Sequence, residues 1–564
     1  MLSDAVLPPL IVIVFCALSL AACGEKGSED APELAIVNGV VLTMDEERPY
    51  ASAFAVRNGL IVDVGENEDI EKLIGPSTEV IDAGGRTIVP GFNDAHLHAL
   101  AIPPGAVDLA DVADLDAALK KMKAVLDLSP ADPWVIGYGY DDTVFGRHPT
   151  RVDLDQISTT RPVMFWHASL HLFVVNSIAL ANAGINAQTQ DPKGGNFYRD
   201  AENKLTGLIA ERVALEPLFV DAQPSPFAAD LSTARAALGR FFDVALRYGI
   251  TSYSDALVPP ELAFAYFMTG PQTAGVRVNL MLDGEKYGGA IWLRRLNGIA
   301  SVFGWRPFEN PWLRAKTIKL FHGNSLSGRT ARLHQPYKEP PGYYGEPPQR
   351  SQQELNQVIG KIDGDGFQAA VHCNGDYEID MVLDAIETTR KERSAAVRHR
   401  IEHGSVVNDA ILQRIKALGI VMAPHSYIYE KGAMIEAFGE DRWGMMFANA
   451  STFELGIPNA GNSDFPVSGL NPMLRIQSLV TRRSRQGKTY GARQAISVEQ
   501  AIYAYTKGAA YGSMEENVKG SIAAGMYADF LFLSSDPRTV DPNAIKNITV
   551  ENAFSDGILR YATK

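Results

Sequence analysis

The sequence predicts an α/β protein. A (β/α)8 barrel of the TIM type carries a large insert and is joined to a small β-sandwich built from both chain ends. Three observations predict it. From about residue 91 to 510, helical and strand-like stretches alternate, the pattern of a parallel sheet covered by helices. Polar residues that end several apolar runs recur at barrel-unit spacing. Short strands separated by tight turns occupy both ends of the chain.

In the middle region, "DLDAALKKMKAVLDL" (114–128) and "FAADLSTARAALGRFFDVALRYG" (227–249) have the apolar spacing of helices. "PVMFW", "TIKLF", "FQAAVHC" and "IVMAP" are short apolar runs that read as buried parallel strands. "HQPYKEPPGYYGEPPQR" (334–350) is too rich in Pro and Gly for helix or central strand. It is expected to be a long loop, of the kind that forms lids.

The β texture at the start lies in "LAIVNGVVLTM", "ASAFAVRNGLIVDVG" and "TEVIDAGGRTIVPG", with Asn-Gly pairs at 38–39 and 58–59. Asn-Gly is a hairpin signal. "KGSIAAGMYADFLFLSSDP" (519–537) returns to that texture. The expected division is therefore 34–89 with 511–564 as the sandwich, and 90–510 as the barrel with its insert in the first half.

In "GFNDAHLHAL" (91–100), His96 and His98 lie two apart near a strand end. Such side chains face the same side, so the pair can converge on one cation, although His-x-His also arises by chance. His372 in "AAVHCNGD", His403 in "RHRIEHGS" and Asp464 in "AGNSDFP" follow at gaps of 31 and 61 residues. A barrel spends about 31 residues per βα unit, so these residues fall at the ends of strands 5, 6 and 8. Lys319 in "TIKLFHG", 53 residues before His372, falls at strand 4 once the long loop is allowed for. The 221 residues from His98 to Lys319 leave roughly 100 residues beyond what three units need. Lys319 has two readings: a neutral amine that adds carbon dioxide to give a cation-bridging carbamate, or a charged head reaching out of a strand end.

"VPGFNDAHLH", "IKLF", "VHCNGD", "RIEHGS", "GNSDFPV" and "GSIAAGMYADFLFL" together resemble the amidohydrolase superfamily. The likeness is to its large-insert branch, which includes N-substituted formamide deformylases, and runs from about 34 to 537. It implies that His96 and His98 hold one metal and His372 and His403 another. Carboxylated Lys319 would bridge them, and Asp464 would touch a metal and move a proton. Imidazoles and hard oxygens suit zinc, so one or two divalent cations, Zn2+ first, are expected. The implied reaction is hydrolysis of a non-peptide C–N bond by metal-activated hydroxide, in a small amide, an N-formyl or N-acyl amine, or a cyclic amide. The same residues would serve a lactone or other ester, and a catalytically inactive ligand-binding lipoprotein is a further alternative.

His171 in "HLFVVNSIAL" matches a histidine of the branch, as a substrate contact or a structural residue, and His425 in "MAPHSY" is a candidate pocket residue at strand 7. His322-Gly323-Asn324 departs from the acidic-residue-and-glycine pattern of the branch. His148, His334 and His399 read as surface or structural. By strand alternation Cys373 and Glu402 should face away from the site.

Residues 10–22, "LIVIVFCALSLAA", have the length of a signal-peptide core. Leu20-Ala21-Ala22-Cys23 resembles a bacterial lipobox, which implies a leader over 1–22, lipidation of Cys23 and a polar tether over 23–33. The chain would then be held in the bacterial cell envelope, facing the periplasm or at the outer membrane; a plain secretory leader is the alternative. Of three cysteines, Cys16 would leave with the leader and Cys23 would be acylated, so Cys373 alone forms no disulfide framework. The net charge of −14 lacks the basic excess of a nucleic-acid-binding surface. A small-molecule substrate and a membrane are the expected partners.

Overall fold

The computed structural model describes residues 31–563 apart from 101, 104, 127–133, 221–222, 224, 226–229 and 393–396. The expected leader, Cys23 and most of the tether lie outside the described residues.

Seven parallel strands form the barrel: β1 (Phe92–Leu97), β2 (Ile250–Val258), β3 (Arg277–Asp283), β4 (Leu313–Phe321), β5 (Gln368–Cys373), β6 (Arg400–His403) and β7 (Val421–Pro424). Each pairs with its neighbours in chain order. Residues 459–464 close the circle. Asn459 bridges Met422 of β7 in parallel fashion. On the other side Ala95 donates to the Gly461 carbonyl at 3.0 Å and Asp464 to that of His96 at 2.8 Å.

The two-sided burial of each strand follows from its sequence. In β5, Ala369, Val371 and Cys373 join the apolar layer beneath the outer helices. Ala370 instead meets Ala256 and Met281 on the barrel axis, so His372, two residues on, also faces inward. The helices start on clear signals: Asp230 caps Leu231–Arg247, and Ser351 with Glu354 forms a capping box on Gln352–Gly364.

The insert lies between β1 and β2. Its six-stranded sheet, drawn from Val107 to Ala210, has its own core around Trp134, Trp166, Phe173 and Ile209. The 334–350 segment has no helix or strand. It lies over the rim of the barrel, where Asn324 donates to the Glu346 carbonyl at 2.9 Å and Tyr337 packs on Phe438 at 4.7 Å.

The two chain ends interleave in a sandwich. One sheet holds Leu34–Val37, Ala53–Arg57, Leu60–Gly65 and Glu79–Asp82; the other joins Thr87–Pro90 to Phe530–Leu533, with Leu531 opposite Val89. Phe530 fills the space between the sheets, stacked on Phe554 at 4.5 Å and edge-on to Phe54 at 4.9 Å. The Asn58-Gly59 turn is a true hairpin, with φ of 53° and 73° as a type I′ turn requires. Asn38-Gly39 differs from the hairpin expectation: it carries the chain from one sheet to the other. There Asn67 Oδ1 accepts the Asn38 N–H at 2.7 Å, and a Cβ on Gly39 would meet Ile88 at 2.9 Å.

Candidate metal centre

At the C-terminal rim of the barrel, β1, β4 and β6 and the closing segment bring His96, Lys319, His403 and Asp464 together, with His372 of β5 beside them. His96 is clamped from below. The Glu402 carboxylate holds its Nδ1, and Arg400 pairs with both Glu402 oxygens at 2.7 and 2.9 Å. His98 donates from Nδ1 to the Ala256 carbonyl at 3.0 Å. With both Nδ1 atoms engaged, both Nε2 atoms face the centre, as in second-shell orientation of metal-binding histidines. They lie 3.6 and 3.5 Å from Asp464 Oδ1. Lys319 Nζ is 3.0 Å from His96 Nε2.

His96, His403 and Asp464 each offer a ligand atom within 4.8 Å of the others. His403 Nδ1 is buried with no hydrogen-bond partner among the described residues. An orphaned imidazole nitrogen beside a buried carboxylate fits a cation, and this donor set of nitrogens and hard oxygens fits a divalent one. His403 and Asp464 have φ of 75° and 52°, a left-handed backbone uncommon outside glycine. That backbone turns His403 toward the centre although Glu402 already points inward. Glu402, expected to face away, therefore lies inside the barrel: the positive φ at its neighbour breaks the strand alternation.

His372 is inward but outside the tight group. Its ring is 4.5 Å from that of His403, and its Nε2 meets the Asn324 carbonyl at 3.1 Å and Asn374 Nδ2 at 3.2 Å. His425 stacks on His403 at 4.1 Å, with Nδ1 3.8 Å from Asp464 Oδ2. His171 reaches over from the insert, its ring 4.8 Å from that of His372 and its Nδ1 2.6 Å from Glu211. His322 lies at the end of β4, its ring buried and neither nitrogen hydrogen-bonded among the described residues. Cys373 faces the outer core as expected.

Burial dominates the electrostatics. It pushes the Lys319 amine down to about 8 and the His425 imidazole to about 3, and holds His96, His372 and His403 well below the usual histidine range. These imidazoles are therefore neutral, the form that ligates. For Asp464 burial alone would raise the pKa, but the hydrogen bond with His98 is the largest of the effects that bring it below the usual carboxylate range.

A second cluster escaped the sequence reading. Asp141, Asp142 and His167, on the insert, also offer three ligand-type atoms within 4.8 Å of one another. Arg329 already donates to Asp142 at 2.5 Å, so a guanidinium offsets one of the two carboxylates there. The signal was the acidic pair in "GYGYDD".

With this geometry in place, a family model described as "Amidohydrolase family" matches residues 79–561. The chain belongs to the amidohydrolase family. Among similar proteins, this amidohydrolase is 30% identical over 543 residues to a putative amidohydrolase, YtcJ, of Bacillus subtilis (strain 168), covering 93% of this chain and 98% of that one. It is 29% identical to the N-substituted formamide deformylase of Arthrobacter pascens, covering 94% and 98%. In fold it resembles an uncharacterized metal-dependent hydrolase from Pyrococcus horikoshii OT3, with a TM-score of 0.69, 24% identity, and 90% and 99% coverage.

Proposed function

We propose that this amidohydrolase cleaves a non-peptide C–N bond in a small amide, an N-formyl or N-acyl amine, or a cyclic amide. The observation that carries the reading is the pair of Nε2 atoms, on His96 and His98, aimed at Asp464 beside a buried lysine. The likeness to a formamide deformylase supports the substrate class. His96, His98, His403 and Asp464, with His372 and Lys319, are the residues that would hold one or two divalent cations, zinc first. When bound, such a cation supplies a Lewis acid for the carbonyl and lowers the pKa of water.

The chain's own part is orientation and proton movement. Asp464 accepts a proton from the attacking water and hands it to the departing amine. Lys319, with its amine pushed down by burial, has a lone pair available to add to carbon dioxide; loss of an N–H proton leaves a carbamate. His171 and His425 flank the space above Asp464 as substrate contacts. The engagement of His372 Nε2 by the Asn324 carbonyl favours a second reading, one cation on His96, His403 and Asp464. Lipidation of Cys23 in a bacterial envelope completes the proposal, on the strength of the Leu-Ala-Ala-Cys sequence.

The test is elemental analysis of protein purified without chelators, beside a Lys319→Ala variant, followed by an amide and lactone screen. Near two metals per chain, falling sharply in the variant, supports the lysine-bridged pair. About one, unchanged in the variant, supports the single-cation reading. No metal after zinc or manganese is supplied overturns both, and turnover of lactones alone overturns the C–N assignment.

A further inference from the structure

The face of the barrel remote from the metal centre carries an unusual surface. After helix Tyr287–Ser301 the chain runs Val302-Phe303-Gly304-Trp305 before β4 begins at Leu313. Val302 is 80% exposed, Phe303 82%, Ile299 64% and Trp305 52%. Met268 and Trp292 are also exposed, and Trp305 lies against Phe267 at 5.6 Å and Trp292 against Phe264 at 5.4 Å. Contiguous exposed aromatics of this kind mark a binding surface rather than chance. Arg294 and Arg295 are exposed on the same helix.

The position names the occupant. This loop precedes β4, so it lies at the N-terminal end of the barrel strands, opposite the rim that holds Asp464. The sandwich docks at that same end. Gly91 donates to the Asp529 carbonyl at 2.9 Å, and Arg560 donates to the Thr273 carbonyl at 3.4 Å. Arg277 joins the two parts: it pairs with Asp529 at 2.7 Å and lies over Trp312, at the end of the aromatic loop, at 4.1 Å and over Tyr527 at 3.7 Å. The chain enters the sandwich at Leu34, and the stretch from Cys23 to Ala31 spans at most ~30 Å when extended.

We propose that Ile299, Val302, Phe303 and Trp305 dip into the surface of the phospholipid bilayer that holds the Cys23 lipid, with Arg294 and Arg295 over its anionic headgroups. This rests on the lipid-anchor reading above. Aromatic side chains favour the membrane interface, and a second contact strengthens a lipid anchor. The metal centre then opens away from the bilayer, toward dissolved substrate.

Two measurements test the proposal on vesicles of phosphatidylethanolamine and phosphatidylglycerol. The acylated full chain is reconstituted with nitroxide-labelled lipid, and tryptophan quenching is compared with that of Trp305→Phe; the variant should be quenched less. The chain from Gly24, which contains every described residue, is sedimented with the same vesicles. Its bound fraction should fall about tenfold in a Val302→Ser/Phe303→Ser/Trp305→Ser variant of unchanged metal content and melting temperature. Absence of vesicle binding by the chain from Gly24, with equal quenching in the first experiment, overturns the proposal. So does a concentration-dependent dimer that the triple variant abolishes, which would make the patch an interface between copies. Mass spectrometry of Cys23 separates the two readings: an unmodified cysteine sinks the anchor, while sedimentation still judges the patch.

Discussion

Glu402 holds His96 by its Nδ1 from inside the barrel, and the guanidinium of Arg400 pins both oxygens of that carboxylate. All three side chains are fully buried. The histidine at the end of the first strand is thus aimed by a residue from the sixth.

Glu402→Gln should weaken metal affinity by about 10- to 100-fold, the usual cost of losing an outer-shell partner. It should also lower stability by roughly 3–5 kcal/mol, because Arg400 keeps its charge without a counter-ion. Chelator competition and denaturant unfolding check the two effects separately. Loss of stability with unchanged metal affinity would make the contact purely structural.

Asp464→Asn should cut kcat by about 10²- to 10⁴-fold, the range for removing a positioned proton carrier. Much of the metal should remain, since His96, His98 and His403 are untouched. Because the hydrogen bond with His98 helps to hold the carboxyl below the usual range, no loss of activity on its account is expected down to mildly acidic pH. Single-turnover kinetics beside metal analysis provide the check.

Asp255 lies next to Ala256, whose carbonyl holds His98. Burial lifts its carboxyl to about 6, against the opposing hydrogen bond from Tyr266. The folded state therefore binds more protons than the unfolded one between about pH 4 and 6. Stability from this group is full below that window and is lost as pH rises through it, by an amount on the order of 3 kcal/mol. Asp255→Asn should flatten the dependence of melting temperature on pH across the window. An unchanged slope would assign it to other groups.

Arg277→Met should cost roughly 3–5 kcal/mol by leaving the Asp529 carboxylate buried and unpaired. Adding Asp529→Asn should recover part of the loss, since neighbouring substitutions in one network are not additive. Thermal unfolding of the two single variants and the double variant measures the coupling between barrel and sandwich.

Much of this arrangement was legible in the sequence because a barrel imposes a regular toll of residues per unit. The gaps from Lys319 to Asp464 placed Lys319, His372 and His403 toward the ends of strands 4, 5 and 6, where the structure has them. They placed Asp464 at the end of an eighth strand, where the structure instead has the irregular segment that closes the barrel. The misreadings of Glu402 and of Asn38-Gly39 have separate causes. Strand alternation assumes an extended backbone, and His403 abandons it with a φ of 75°. A turn signal reports a local bend and not which sheet receives the chain, so Asn38-Gly39 read like Asn58-Gly59. His171 could be placed only by resemblance, since its approach to His372 depends on how the insert folds back over the rim. The Glu211 that holds it lies 40 residues further along, with no periodicity to link the two.

The pairing of Val89 with Leu531 sets the order in which this protein can be completed. Thr87–Pro90 is made early, yet the strand that covers one of its edges is among the last synthesised. Until then an apolar edge stays open to foreign strands. A product cut short before Phe530 would retain every residue of the metal centre and still expose that edge. Aggregation, rather than loss of chemistry, is the defect expected of such a fragment.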